Sequence, residues 1–280
     1  MKYEEAMGGL PDAAVVHYRE HGFYAPIRVL SAAEAGQVRA CLEMHEATHG
    51  VLKGAMRHKS HLLFTWLDRL IRHPNILDAV ESVLGPDILC WSSTFFIKEA
   101  RDPGFVSWHQ DSTYWGLDPA DIVTAWVALS ESTVENGALR VIPDTQKLDQ
   151  VAHRDTFAAN NLLTRGQEIA VEVDDSKAVM LPLAPGEMSL HHVRLIHGSD
   201  PNPSAKRRIG FAVRYLPTHV RQIVGTRDSA TLVRGVDRFG NFEPEYSPDR
   251  DLSDAAVAFH AHVMGDQQKV LMRNAPAAMR

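Results

Sequence analysis

Three features of the sequence point to a mainly β fold with flanking helices, of the double-stranded β-helix (jelly-roll, cupin-like) class. The opening third, as far as Gly85-Pro86, carries its apolar residues at helical spacing. From Asp87 onward the period changes to short runs rich in β-branched and aromatic residues, separated by turn signals. No helical stretch alternates with those runs, as a βαβ arrangement would require.

Taken in order, Pro11-Asp12 opens a helix through Val15, Val16 and Tyr18 that stops near Gly22. Ser31-Ala32-Ala33-Glu34 reads as a capping box. It heads a helix with Ala35, Val38 and Leu42 on its apolar side and Gly50 as its terminator. Leu62, Leu63, Trp66, Leu67 and Leu70 keep helical spacing, and Pro74 starts a further helix carrying Ile76, Leu77, Val80, Val83 and Leu84. Strands are expected at 88–98, 105–111, 122–130, 138–142, 169–173, 179–183, 188–192 and 209–216. The turns between them include Asp102-Pro103-Gly104, Glu135-Asn136-Gly137, Pro185-Gly186 and Asp200-Pro201-Asn202-Pro203. Residues 221–250 read as long loops and 252–272 as one more helix. Without an internal repeat or a linker, residues 1–280 are expected to form one domain. Its parts are a helical section 11–85, a jelly-roll core 87–217, and C-terminal loops and helix 218–280.

Composition removes several function classes. At 280 residues and 45% hydrophobic, the chain can bury a large core. A formal charge of -6 is not the basic balance of a nucleic-acid binder. No apolar run approaches the length of a membrane span, and Met1-Lys2-Tyr3-Glu4-Glu5 lacks the apolar stretch of a signal peptide. Cys41 and Cys90 form no CxxC, so neither a disulfide framework nor a zinc ribbon is expected. The expected setting is cytoplasmic, with a small-molecule substrate and no membrane or nucleic-acid partner. No feature specifies the oligomeric state. Fifteen histidines keep a metal in view.

The stretch Trp108-His109-Gln110-Asp111 carries the chemistry. Side chains alternate along a strand, so His109 and Asp111 project to one side and can share a cation. One more distant histidine completes two imidazoles and a carboxylate on one face of a metal, the set associated with non-haem iron oxygenases. About one His-x-Asp arises by chance in a chain with this many histidines. A second is indeed present, His153-Arg154-Asp155, whose polar neighbours Lys147, Asp149, Gln150, Asn160 and Asn161 mark it as a solvated loop. For the third ligand, His191-His192 can turn only one ring inward, His219 follows a proline turn, and His260 and His262 diverge on a helix. His197 has the best surroundings, after Leu195-Ile196 and before Gly198-Ser199. Arg208 follows it by eleven residues and opens the next strand. A guanidinium turned into a barrel needs an anionic partner, and a carboxylate matches it in a bidentate manner.

With these residues in place the chain resembles the phytanoyl-CoA dioxygenase family of iron(II)- and 2-oxoglutarate-dependent oxygenases. The resemblance runs over roughly residues 15–217. It is carried by Glu20-His21-Gly22-Phe23, by 108–111, by Thr124-Ala125-Trp126-Val127-Ala128-Leu129, by 135–143, and by His197-Gly198-Ser199 through Arg208. It implies a double-stranded β-helix with His109, Asp111 and His197 on Fe(II), Arg208 on the distal carboxylate of 2-oxoglutarate, and O2 as the second co-substrate. It adds hydroxyls at Ser199 and Thr124 to the co-substrate site, and Trp126 shares the face of Thr124. Halogenating relatives have a small residue in place of the metal carboxylate, so Asp111 implies hydroxylation or a related oxidation. Asp144-Thr145-Gln146-Lys147 departs from the Gly-Ser-His-type turn of many members.

The basic run 53–61 contains Arg57 and Lys59 and reads most simply as a solvated face. Folded over the barrel mouth, it would select an anionic substrate. Trp115, Lys98 and Arg214 are the further candidates for substrate contact, Arg214 because it shares strand parity with Arg208. The expected substrate is a small polar or anionic compound: a phosphonate, a carboxylate or an amino acid. An acyl-CoA or acyl-carrier substrate is the alternative within the family. A non-catalytic ligand-binding jelly roll and a zinc hydrolase are the rivals from other classes, and neither gives Arg208 a comparable task.

Overall fold

In the computed structural model, which describes residues 8–225 and 228–273, the helical opening covers one face of a large sheet. Helix α1 (Asp12–His21) ends on Gly22, whose φ of 81° brings its N–H to the Tyr18 carbonyl. Strand β1 (Phe23–Arg28) follows. Helix α2 (Ala32–His49) starts on the capping box read from the sequence. The Glu34 N–H donates to Ser31 Oγ at 3.1 Å, and the Ser31 N–H donates to Glu34 Oε2 at 2.7 Å. Two short 3-10 turns, Gly54–Arg57 and Ser60–Leu62, precede α3 (Thr65–Ile71) and α4 (Pro74–Leu84).

The chain then runs through β2 (Ile88–Lys98), β3 (Val106–His109), β4 (Leu117–Asp118), β5 (Val123–Ala128), β6 (Leu139–Ile142), β7 (His153–Asp155) and β8 (Gln167–Ile169). It continues through β9 (Val179–Leu181), β10 (Glu187–His192), β11 (Ile196–Ser199), β12 (Arg208–Pro217), β13 (Arg221–Gln222), β14 (Ser229–Arg234) and β15 (Glu243–Pro244) to α5 (Asp254–Met272). The major sheet has the order β1-β10-β5-β12-β2-β14-β15 and the minor sheet the order β3-β11-β6-β9. This is a jelly roll, mostly β with a few helices against it.

Alternation along β12 decides where a site can form. Ile209, Phe211, Val213 and Tyr215 join Phe95 of β2, alternate residues of β5, and Leu67, Ile71, Ile76 and Val80 of α3 and α4 in one core. Arg208, Gly210, Ala212 and Arg214 therefore face the other way, toward the minor sheet. Every residue of β12 is buried, because helices cover one side and the second sheet covers the other.

Some elements differ from the sequence expectation. Strand β1 was not foreseen. It is an edge strand whose register breaks between Tyr24 and Ile27, around Pro26, so it shows no alternation. Strand β14 lies inside the expected loops 221–250 and pairs with β2. His153–Asp155 is strand β7, paired with β8, rather than a loop. Its partner strand covers 167–169 instead of 169–173 and ends on Ile169, which packs with Ile142 and Ile196. The turn after Pro143 works without glycine: Asp144 takes a left-handed φ of 69°, a conformation aspartate tolerates.

A buried ion cluster joins the C-terminal region to the basic run. Lys59 and Glu245 have no exposed side-chain surface and lie 2.5 Å apart. Glu245 also accepts from Ser229 Oγ and Thr231 Oγ1, each at 2.7 Å, and Lys59 Nζ donates to the Ser229 carbonyl at 2.8 Å. Burial opposes the charge on Glu245, but Lys59 and His61 outweigh it and hold its pKa down to about 2. Lys59→Met, which strands a buried carboxylate, is expected to cost about 3–5 kcal/mol in urea denaturation. Because Glu245 is depressed in the folded state, its contribution is present above its ordinary value of 4.5 and is lost as pH falls toward 2. Glu245→Gln is expected to flatten the stability curve across that window.

Candidate metal centre and adjoining cavities

Strands β3 and β11 pair antiparallel with His197 opposite His109. Two imidazoles from distant parts of the chain thereby meet, with ring centroids 4.1 Å apart. Strand β3 ends at His109, short of the expected Asp111, because the Gln110 N–H leaves the ladder and donates to His153 Nε2 at 3.0 Å. Gln110 nevertheless keeps an extended backbone, φ -107° and ψ 136°, so Asp111 still projects to the side of His109. The Asp111 N–H donates to the Val193 carbonyl at 3.0 Å, and a 3-10 turn over Asp111–Tyr114 follows.

Both imidazoles are held by a carbonyl two residues earlier. His109 Nδ1 lies 2.9 Å from the Ser107 carbonyl and His197 Nδ1 lies 2.8 Å from the Leu195 carbonyl. A carbonyl only accepts, so each Nδ1 carries the proton and each Nε2 presents a lone pair. Those Nε2 atoms lie 3.2 Å and 3.9 Å from Asp111 Oδ1, and the three ligand atoms lie within 4.8 Å of one another. Thr124 Oγ1 donates to Asp111 Oδ2 at 3.2 Å. Burial raises the Asp111 pKa, but its polar surroundings, the Arg214 guanidinium among them, hold it far below the usual carboxylate range. Burial, then His109 and His191, push His197 well below the usual imidazole value, which keeps it neutral. Two Nε2 lone pairs and one carboxylate on one side of a buried space form a donor set for a divalent transition metal, with the opposite side open.

Arg208 faces the same inner cavity, with Thr124, Trp126 and Ser199. Its Nη1 donates to the Gly137 carbonyl, its guanidinium lies 5.3 Å over the Trp126 ring, and its buried Nε has no partner. Burial lowers its pKa to about 10, so it stays charged at neutral pH. Such a cation accommodates an incoming carboxylate. Gly210 makes room for this packing: a Cβ there would lie 1.9 Å from Trp126 Cζ2. At Gly137, a Cβ would lie 2.2 Å from the Asp200 carbonyl oxygen, and φ is +78°.

Two expected substrate contacts are corrected. Lys59 is tied into the Glu245 cluster and reaches neither cavity, because a buried ammonium keeps its carboxylate partner. Lys98 is also fully buried. It donates to Ser199 Oγ at 2.7 Å and to the carbonyls of Ser199 and Asp200, and so braces Ser199 from behind instead of facing the cavity. Burial and the Arg208 charge lower its pKa to about 7.

Arg57, Trp115 and Arg214 do line an outer cavity of about 460 Å³. Asp111 and Arg214 border both cavities. Of the basic run, Gly54, Ala55, Arg57 and His58 line the outer cavity, Lys53 is exposed, and Lys59, Ser60 and His61 are buried away from it. Two further histidines matter. His191 is buried against His197 at 4.5 Å between ring centroids, with both nitrogens unpartnered. Its pairing with Thr124 across the sheet was the missing signal. His153, read as solvated, supports the turn at Gln110, and its neighbour Asp155 is ion-paired with Arg165.

The family model described as phytanoyl-CoA dioxygenase matches residues 18–210. A probable alpha-ketoglutarate-dependent hypophosphite dioxygenase of Stutzerimonas stutzeri is 29% identical over 168 residues, 59% of this chain and 58% of that protein. The chain thus spans little more than half the length of that relative. An L-proline trans-4-hydroxylase of Streptomyces griseoviridis is 29% identical over 189 residues, covering 59% of this chain and 70% of the hydroxylase. Among solved structures, the non-heme monooxygenase ThoJ in its apo form superposes with a TM-score of 0.83 at 36% identity, covering 93% of this chain and 98% of that one. The ThoJ nickel complex superposes at 0.78 and 33% identity, covering 93% and 99%. Among the described residues no helix is long and apolar enough to cross a membrane.

Gly210→Ala is expected to displace the Trp126 indole and to cost about 1–3 kcal/mol in chemical denaturation. Adding Trp126→Phe, which removes the obstructing ring, should recover part of that loss.

Proposed function

This chain belongs to the phytanoyl-CoA dioxygenase family, and from that premise we propose that it is an iron(II)- and 2-oxoglutarate-dependent oxygenase hydroxylating a small organic substrate with an anionic group. The observation that carries this reading is the meeting of His109, Asp111 and His197 within 4.8 Å, beside a buried Arg208 whose Nε has no partner. When bound, iron, 2-oxoglutarate and dioxygen supply the oxidant that hydroxylates a C–H bond, with succinate and carbon dioxide as co-products.

The chain's own residues provide position and environment. The Ser107 and Leu195 carbonyls keep His109 and His197 in the tautomer that donates through Nε2. Asp111 supplies negative charge and is steadied by Thr124. Arg208 orients 2-oxoglutarate through its distal carboxylate, with Ser199 beside it and Trp126 as the floor. Trp126 and Ala212 line the cavity with apolar surface that excludes water. A carboxylate, phosphonate or amino-acid substrate is supported by the arginines around the outer cavity and by the hypophosphite and proline named for two relatives. Zinc hydrolysis with the same three ligands would leave Arg208 without a task.

Asp111→Ala is expected to abolish tight Fe(II) binding, read by anaerobic calorimetry, together with succinate release. Retained binding would remove Asp111 from the centre. Arg208→Ala is expected to raise the 2-oxoglutarate concentration for half-maximal succinate release by at least about ten-fold, equivalent to ~1.4 kcal/mol, with iron affinity unchanged. An unchanged requirement would take Arg208 out of the co-substrate site.

A further inference from the structure

We propose that the outer cavity binds an amphiphilic organic acid, its acid group held by Arg57 and Arg214 and its flat or apolar body lying against Trp91 and Trp115. The chemistry done on that ligand rests on the oxygenase reading; its binding does not.

Charge comes first. Arg214 is buried, its Nη1 donates to Thr94 Oγ1 at 2.7 Å, and its Nε has no partner. Arg57 donates to the Phe95 carbonyl at 3.1 Å. Among the described residues neither arginine forms an ion pair, whereas Arg165, on the same cavity, is neutralised by Asp155. Asp111 is the one acid in the described lining, and it faces the two imidazoles. Two guanidinium groups with no carboxylate at ion-pair distance among the described residues, one of them buried, offer a site for an incoming anion.

Size and shape come second. At about 460 Å³ the cavity falls within the roughly 300–1,000 Å³ usual for organic ligands. Hypophosphite or proline would leave most of it empty. The Trp91 and Trp115 rings lie 4.8 Å apart, and the Arg214 guanidinium lies 5.7 Å from both Trp115 and Phe96. One end of the ligand therefore meets cations while the rest meets aromatic surface. The cationic wall is also fixed in place. The His58 carbonyl accepts from His260 Nε2 of α5 at 2.8 Å, and the next residue, Lys59, is anchored to Glu245. Preformed charge of this kind favours a ligand without first having to be ordered. Because Asp111 and Arg214 border both cavities, the bound ligand would lie next to the metal centre.

The test titrates 2-naphthoate and its neutral isostere 2-naphthamide into the protein loaded with Fe(II) and 2-oxoglutarate without oxygen, read by calorimetry. The acid is expected to bind at least about ten-fold more tightly than the amide. Arg57→Ala and Arg214→Gln should each erase that preference while leaving amide binding unchanged, and Trp115→Ala should weaken both probes. Equal binding of acid and amide, binding of neither below about 1 mM, or an Arg57→Ala variant with its preference intact would overturn the proposal. Substrate-free succinate release by the same preparation separates the two readings. If release persists without acid preference, only the subsite fails. If acid preference appears without iron binding or release, the subsite stands and the oxygenase reading fails.

Discussion

The centre of this protein depends on one antiparallel pairing, β3 with β11, which sets His197 opposite His109. Everything else at the site adjusts to that register. Each ring is held by the carbonyl two residues before it, so both lone pairs point at the same buried space. Gln110 leaves the sheet but stays extended, and this delivers the Asp111 carboxylate between the two rings. A slip of one residue along β11 would turn His197 to the opposite face of the minor sheet.

Strand β12 carries the opposing demand. Its outward residues belong to a dense apolar core in which Phe95 and Phe211 meet at 4.8 Å. Its inward residues include two buried arginines that lack an ion-pair partner among the described residues, each with an unpartnered Nε. Holding such cations inside costs stability, which the core on the other face offsets. The strand thus holds positive charge in a preorganised, poorly solvated position, suited to recognising anionic groups on molecules that enter.

The region beyond Pro217 is not an appendage to this arrangement. Strand β14 extends the major sheet alongside β2. Its Ser229 and Thr231 complete the cluster that anchors Lys59, and α5 holds the His58 carbonyl. Through these contacts the C-terminal part fixes the basic turn at the outer cavity and adds Met264, Gln267 and Leu271 to its lining.

What the sequence by itself determined was local: period and punctuation. The Ser31–Glu34 box, Pro74 and Gly85 bound their helices as read, and the β-branched and aromatic run from Ile88 to Lys98 is a strand with those limits. The His-x-Asp pattern, the later histidine and the arginine beyond it were legible as a motif, because residue type and spacing are written in the chain. Only the tertiary structure decided which charges face a ligand. Lys59 and Lys98 read as substrate contacts, but their partners lie 186 and 101 residues away, at Glu245 and Ser199. The sequence marks His191 only as one of several candidate ligands and His153 only as part of a solvated loop, because Thr124 and Gln110, which they meet, lie far along the chain. The physical reason is range: backbone period is set by neighbours a few bonds apart, whereas the burial and pairing of a charge depend on whatever the fold brings against it.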